Sequence, residues 1–204
     1  MDYALIIAGP SAVGKTTVAS LMQEYGFQIV RSATTREPRG DGMDEEYIYL
    51  SKDEFVKRVA LGEMLEYTEY GGNFYGTPKS EIVRVIKSGK TPILILDIKG
   101  VVSIKTSRFD FGTVAVYLWD IPSVIEERLY LRYGGEVASQ SKLKSRLEEN
   151  KRYSVEILEN AAYFDAFIRN DKTAEETAHL LYEEFLNIIN SGIQKNALIP
   201  EELK

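Results

Sequence analysis

The 204-residue chain has no cysteine, which excludes disulfides, thiolate metal sites and thiol nucleophiles. It has one histidine, His179, so a multi-histidine metal centre is excluded as well. His179 falls in a late amphipathic stretch, where a helix-surface position is expected. No apolar run approaches the roughly 20 residues of a membrane span. The chain starts without the basic, apolar and small-residue succession of a secretory signal. Basic charge is also in deficit: 25 Lys and Arg against 31 Asp and Glu leave a net charge of −6. A nucleic-acid polymer normally needs a basic face, so neither that partner nor a membrane is expected. These absences point to a soluble, cytoplasmic protein. Hydrophobic content of 44% over this length suits one globular domain.

What is present concentrates near the start. Tyr3 to Ala8 is apolar at successive positions, as a strand buried on both faces would be. Gly9-Pro10-Ser11-Ala12-Val13-Gly14-Lys15-Thr16 follows and matches the phosphate-binding loop pattern at every fixed position. Gly9 and Gly14 free the backbone to turn successive N–H groups toward phosphate oxygens. Lys15 is expected to reach the β- and γ-phosphates, and the Thr16 hydroxyl to sit on Mg2+. Val18, Ala19, Leu21 and Met22 continue at helical spacing, which puts the phosphates at a helix N-terminus. Residues Gly9 through Thr17 are therefore the candidate ATP site. A plain strand-to-helix turn would not need all these positions to match.

Phe27–Val30 reads as a second strand. Residues 31–42 form a polar loop punctuated by Gly and Pro, with Arg36 and Arg39 three apart and hydroxyls just before them. Guanidiniums grip phosphate oxygens bidentately, a use that a merely solvated loop does not have. Glu46–Leu50 alternates as a strand, and Ser51-Lys52-Asp53-Glu54 is a capping box opening a helix to about Leu61. Glu63–Tyr70 and Asn73–Gly76 read as strands around the Gly71-Gly72 turn, rich in tyrosines that either pack or offer hydroxyls to a ligand. Thr77 is expected to cap the next helix, with Pro78 at its first position and Gly89 at its end.

Thr91–Ile98 reads as another buried strand, with Asp97 near its end. An acid there either holds Mg2+ beside a phosphate loop or caps a helix. Thr113–Leu118 and Ala166–Arg169 are further strands. Helices are expected over Pro122–Tyr133, from about Ser141 to Asn160, and from the Thr173-Ala174-Glu175-Glu176 cap to near Gly192. Arg128, Arg132 and Arg146 bracket a flexible polar stretch, as the arginines of a lid closing on a triphosphate would. Surface ion pairs with neighbouring glutamates are the alternative. Strands alternating with helices give an α/β fold with a parallel, doubly wound sheet and the nucleotide at the carboxyl ends of its strands.

With Arg36-Glu37-Pro38-Arg39-Gly40 and a tyrosine-rich insertion following the phosphate loop, residues 3–190 resemble the guanylate kinase family. The resemblance implies a P-loop core of residues 1–31, 78–132 and 147–192, a GMP-binding insertion over 32–77, a lid over 133–146 and a tail over 193–204. It implies transfer from Mg-ATP to GMP, with dGMP as a further acceptor. Ser32, Arg36, Arg39, Tyr47 and Tyr75 match the residues that hold the acceptor, the arginines and tyrosines on its phosphate. Glu66 matches the carboxylate that pairs with the guanine edge, and Thr77 stands where the family often has serine. Arg128, Arg132 and Arg146 match the arginines that, with Lys15, stabilise the transferring phosphoryl group. Asn170-Asp171 resembles the step near the adenine pocket, and Thr16 with Asp97 would position Mg2+.

Three departures stand out. Ala12 replaces a usual glycine, and Arg132-Tyr133-Gly134-Gly135 replaces a compact Arg-Gly pattern. Asp97-Ile98-Lys99-Gly100 is shorter than Asp-Ile-Asp-x-Gln-Gly and lacks a counterpart for the second aspartate, a guanine contact in the family. Relaxed base discrimination would follow from that loss, and a kinase of this fold acting on another small phosphorylated acceptor is the alternative it motivates. A catalytically silent, guanylate-kinase-like interaction module is the other, although such modules usually lose the phosphate loop kept here.

Overall fold

The computed structural model describes residues 2–38, 47–70, 72–133, 140–191 and 197–203. Its strands are β1 (Tyr3–Ala8), β2 (Phe27–Ile29), β3 (Ser32–Thr34), β4 (Tyr47–Tyr49), β5 (Met64–Tyr70), β6 (Asn73–Pro78), β7 (Thr91–Ile95), β8 (Gly112–Trp119) and β9 (Ala166–Arg169). Its α-helices are α1 (Lys15–Leu21), α2 (Lys52–Ala60), α3 (Lys79–Lys87), α4 (Ile98–Thr106), α5 (Pro122–Tyr133), α6 (Gln140–Asn160) and α7 (Ala174–Ser191).

The larger sheet has the order β2-β7-β1-β8-β9, and every pairing in it is parallel. β1 is central and covered on both sides, which is why its sequence is an unbroken apolar run. Leu5 and Ile7 pack with Val18 and Ala19 of α1 and Leu181 and Phe185 of α7. Ala4, Ile6 and Ala8 point the other way, onto Ile82 and Val85 of α3, Val101 and Ile104 of α4 and Ile157 of α6. The chain winds from β1 to β2 and β7 on one side, then crosses to β8 and β9 on the other. That reversal leaves a crevice at the carboxyl end of β1, where ligands bind in such sheets.

The smaller sheet has the order β4-β3-β6-β5, parallel between β3 and β4 and antiparallel elsewhere. Ala33, Met64 and Phe55 of α2 are buried together at its core. On its other face the register aligns Ser32 with Tyr47, Thr34 with Tyr75, and Glu66 with Thr77. Side chains alternate along a strand, so these polar groups share one face.

Three local expectations are corrected. Residues 32–34 belong to a strand rather than to a polar loop, because pairing with β4 and β6 outweighs their polar composition. The strand read to Ile98 stops at Ile95, and α4 follows. Asp97 caps α4 by accepting from the Gly100 N–H at 2.7 Å, and Ile98, Val101 and Ile104 recur at the three-residue spacing of its buried stripe. Thr77 does not cap α3: Pro78 occupies the cap position without a side-chain bond, and the Thr77 hydroxyl donates to Glu66 instead. The capping boxes at Ser51 and Thr173 are both made, the latter reciprocally with Glu176. Among the described residues no helix is long and apolar enough to cross a membrane.

Candidate active site

Loop 9–14 leaves β1 and enters α1 at Lys15. Gly9 has φ 150°, and a Cβ there would lie 2.2 Å from the Leu118 carbonyl oxygen. At Gly14, φ 101°, a Cβ would lie 2.5 Å from Asn170 Nδ2. Both glycines are therefore demanded by close approach as well as by backbone angle. Ala12 adopts φ 67°, a left-handed conformation that its Cβ disfavours. Gly14 stands at the N-cap of α1, and among the described residues no side chain caps the helix there.

Lys15 Nζ donates to the Gly9 and Pro10 carbonyls at 2.7 and 2.9 Å. Burial pulls its ammonium down to about 8, opposed by the Glu149 carboxylate and reinforced by Arg146 and Arg132. A cavity of about 480 Å³ opens above, walled by Gly9, Ser11, Ala12, Gly14, Lys15, Thr16 and Thr17. Arg128, Arg132 and Arg146 line the same cavity. Arg128 is steadied by Asp120 and by the Asn170 carbonyl, at 3.1 and 3.2 Å. The Arg132 guanidinium lies over the Tyr133 ring, and Arg146 pairs with Glu149 at 2.6 Å. Pro10 and Val13, within the loop, are buried. Asn170 is buried as well: its Nδ2 donates to the Val13 carbonyl and its Oδ1 accepts from Thr177, each at 2.7 Å. The side chain thus braces the loop from below.

A second cavity, about 240 Å³, lies against the polar face of the small sheet. Ser32, Arg36, Tyr47, Glu66 and Tyr75 line it. The Arg36 guanidinium sits over the Tyr47 and Tyr49 rings and donates to the Tyr49 hydroxyl at 3.3 Å. Glu66 is 6% exposed and accepts from Thr77 Oγ1 at 2.7 Å. Burial raises its carboxyl to about 7, the Thr77 bond opposes, and the Asp97 carboxylate adds to the rise. Thr77 itself is buried behind Glu66. Arg39 and residues 134–139, read from the sequence as part of a lid, lie outside the described residues. The two cavities share Arg36, Tyr47, Asp97, Arg146 and Glu149 on their walls, so they are two ends of one cleft.

Thr16 and Asp97 both face the larger cavity. Among the described residues no group of three or more His, Cys, Asp or Glu could hold a metal by itself. A hydroxyl and one carboxylate form a hard oxygen donor set, which suits Mg2+ held partly by water and phosphate. The residues present fit that ion.

The family model described as guanylate kinase matches residues 1–187. The chain belongs to the guanylate kinase family. These enzymes are nucleoside monophosphate kinases. The guanylate kinase of Fusobacterium nucleatum is 30% identical over 192 residues, covering 93% of this chain and 96% of that protein. The guanylate kinase of Clostridium tetani is 35% identical over 125 residues, an alignment spanning 60% of this chain and 58% of its relative. The crystal structure of guanylate kinase from Anaplasma phagocytophilum superposes with a TM-score of 0.64 at 26% identity, covering 95% of this chain and 87% of that one.

Within this guanylate kinase fold, two cleft residues, Glu149 and Tyr153, and two carboxylates that pair with arginines, Asp120 and Glu81, escape sequence reasoning. Asp120 follows buried β8 as Asp97 follows β7, a shared signal that could have drawn attention to it. Glu149 and Tyr153 of α6 reach the larger cavity from a helix whose pattern reads as ordinary surface. Glu81 is tied bidentately to Arg31 and held again by Arg84, which lowers its carboxyl to about 2. That cluster joins α3 to the residue before β3.

Proposed function

We propose that this chain transfers the γ-phosphoryl group of ATP to GMP, giving ADP and GDP. The observation that carries the reading is the single cleft with a phosphate-binding loop at one end and a buried carboxylate at the other. An oxygen of the GMP phosphate attacks the γ-phosphorus as the bond to the β–γ bridging oxygen breaks. That oxygen is already anionic at neutral pH, so no general base is needed. Lys15 and the loop amides cradle the donor, while Arg128, Arg132 and Arg146 spread over the charge on the moving group. Ser32, Arg36, Arg39, Tyr47 and Tyr75 hold the acceptor in line, and positioning supplies much of the rate. Mg2+, when bound by Thr16 and Asp97, supplies charge neutralisation on the donor phosphates.

Glu66 accepts from the guanine N1–H and exocyclic amine, with Thr77 fixing its carboxylate from behind. Gly100 stands beside it: a Cβ there would come 3.3 Å from Glu66 Oε2 and 3.2 Å from Asp97 Oδ1. The shortened segment thus turns straight into α4 next to the base site, leaving Glu66 as the main reader of the base. Residues 32–77 form the acceptor unit, 133–146 the lid and the remainder to 192 the core. We place the protein in the cytoplasm, with its nucleotides, and dGMP among its acceptors. Arg36→Ala tests the assignment: KM for GMP is expected to rise by about tenfold or more, the worth of a charge-assisted bond. KM for ATP is expected to stay nearly constant. Equal rises for both would place Arg36 elsewhere.

A further inference from the structure

α6 is pinned at two buried apolar residues, Leu143 near its start and Ile157 near its end. Midway between them, Asn150 makes a contact that the phosphoryl-transfer roles above do not use. Its Oδ1 accepts from the Ser11 N–H at 2.8 Å, and its Nδ2 donates to the Ser11 carbonyl at 3.2 Å. Both backbone groups of one loop residue are met by one side chain 139 positions away. Such a match needs a carboxamide, since the N–H requires an acceptor and the carbonyl a donor. The same requirement sets the orientation of the amide.

Arg146 lies four residues before Asn150, one helical turn away on the same face of α6. Arg146, Glu149 and Tyr153 line the donor cavity. Fixing the helix at 150 therefore fixes where the Arg146 side chain begins relative to the loop. We propose that Asn150 is a positioning residue that clasps α6 to the phosphate-binding loop and so sets Arg146 against the transferring phosphoryl group. This inference rests on the guanylate kinase reading above. Ser11 is half-buried, so water replaces both bonds when Asn150 is removed. Folding then survives, but the register of helix and loop does not.

The test is a double-mutant cycle on kcat with Asn150→Ala, Arg146→Lys and the pair, at saturating Mg-ATP and GMP. Asn150→Ala alone is expected to lower kcat by about 10- to 100-fold, as sub-ångström misplacement of a catalytic group does. KM for GMP should move far less than kcat, staying within about threefold, because Ser32, Tyr47, Glu66 and Tyr75 of the acceptor cavity stand on the small sheet and only Arg146 and Glu149 reach it from α6. In the Arg146→Lys background the same change should cost less than about threefold, since two residues acting through one group do not add. Equal losses in both backgrounds, or an unchanged kcat in Asn150→Ala, would overturn the proposal. If alanine prevents folding, the cycle is read with Asn150→Asp, which keeps the acceptor for Ser11 N–H and loses the donor. An inactive wild-type protein would instead remove the reading on which the inference rests.

Discussion

Replacing Glu66 by glutamine keeps the shape of the side chain and an acceptor for the Thr77 hydroxyl, but removes the ionisable proton. Burial raises this carboxyl from 4.5 to about 7. Below 4.5 it is protonated in the folded and unfolded chains alike, and it contributes no pH dependence there. Between 4.5 and about 7 the unfolded chain ionises while the folded chain stays protonated, so stability falls as pH rises. Above about 7 both have ionised, and the full loss amounts to roughly 3 kcal/mol. Glu66→Gln escapes that loss. It should match the wild type within about 1 kcal/mol near pH 5 and exceed it by about 2–3 kcal/mol near pH 8. Urea unfolding reads the difference, with the single tryptophan, Trp119, as a buried fluorescent reporter at the end of β8. The same variant should bind GMP about tenfold or more weakly, because a charged acceptor for the base is gone. A stability difference that is the same at both pH values would refute the assignment of this cost to the Glu66 carboxylate.

Ala12→Gly relieves the left-handed strain of about 1–2 kcal/mol, partly offset by the entropy that glycine adds to the unfolded chain. A net gain of about 0.5–1 kcal/mol in urea unfolding is expected; a loss of that size would contradict the strain. Lys15, drawn down to about 8 by burial, gains its proton when phosphates arrive. ATP binding should take up close to one proton near pH 9 and almost none near pH 6.5. Calorimetry in buffers of different ionisation heat measures this, and zero uptake at both would place Lys15 away from the phosphates.

The parts of the fold legible from sequence are those where local pattern and tertiary outcome coincide. β1 and its loop are dictated by an apolar run and by glycines whose places admit no Cβ, so residues 3–16 could be read directly. The helices after Ser51 and Thr173 announce themselves by capping boxes. Where long-range pairing decides, reading failed: Ser32–Thr34 is a strand only because β4 and β6 lie beside it. Asp97 shows the limit within one residue, since its cap of α4 was one of two local alternatives. Asn150 was invisible for a different reason. Its partner is a backbone group, and sequence carries no trace of which side chain meets Ser11.

The central claim is tested most directly by ADP formation from Mg-ATP with GMP, dGMP, AMP, CMP and UMP in parallel. Rapid turnover confined to GMP and dGMP is expected, with Glu66 reading the base despite the short segment at Lys99-Gly100. No turnover with GMP, or a faster rate with another monophosphate, would contradict the account.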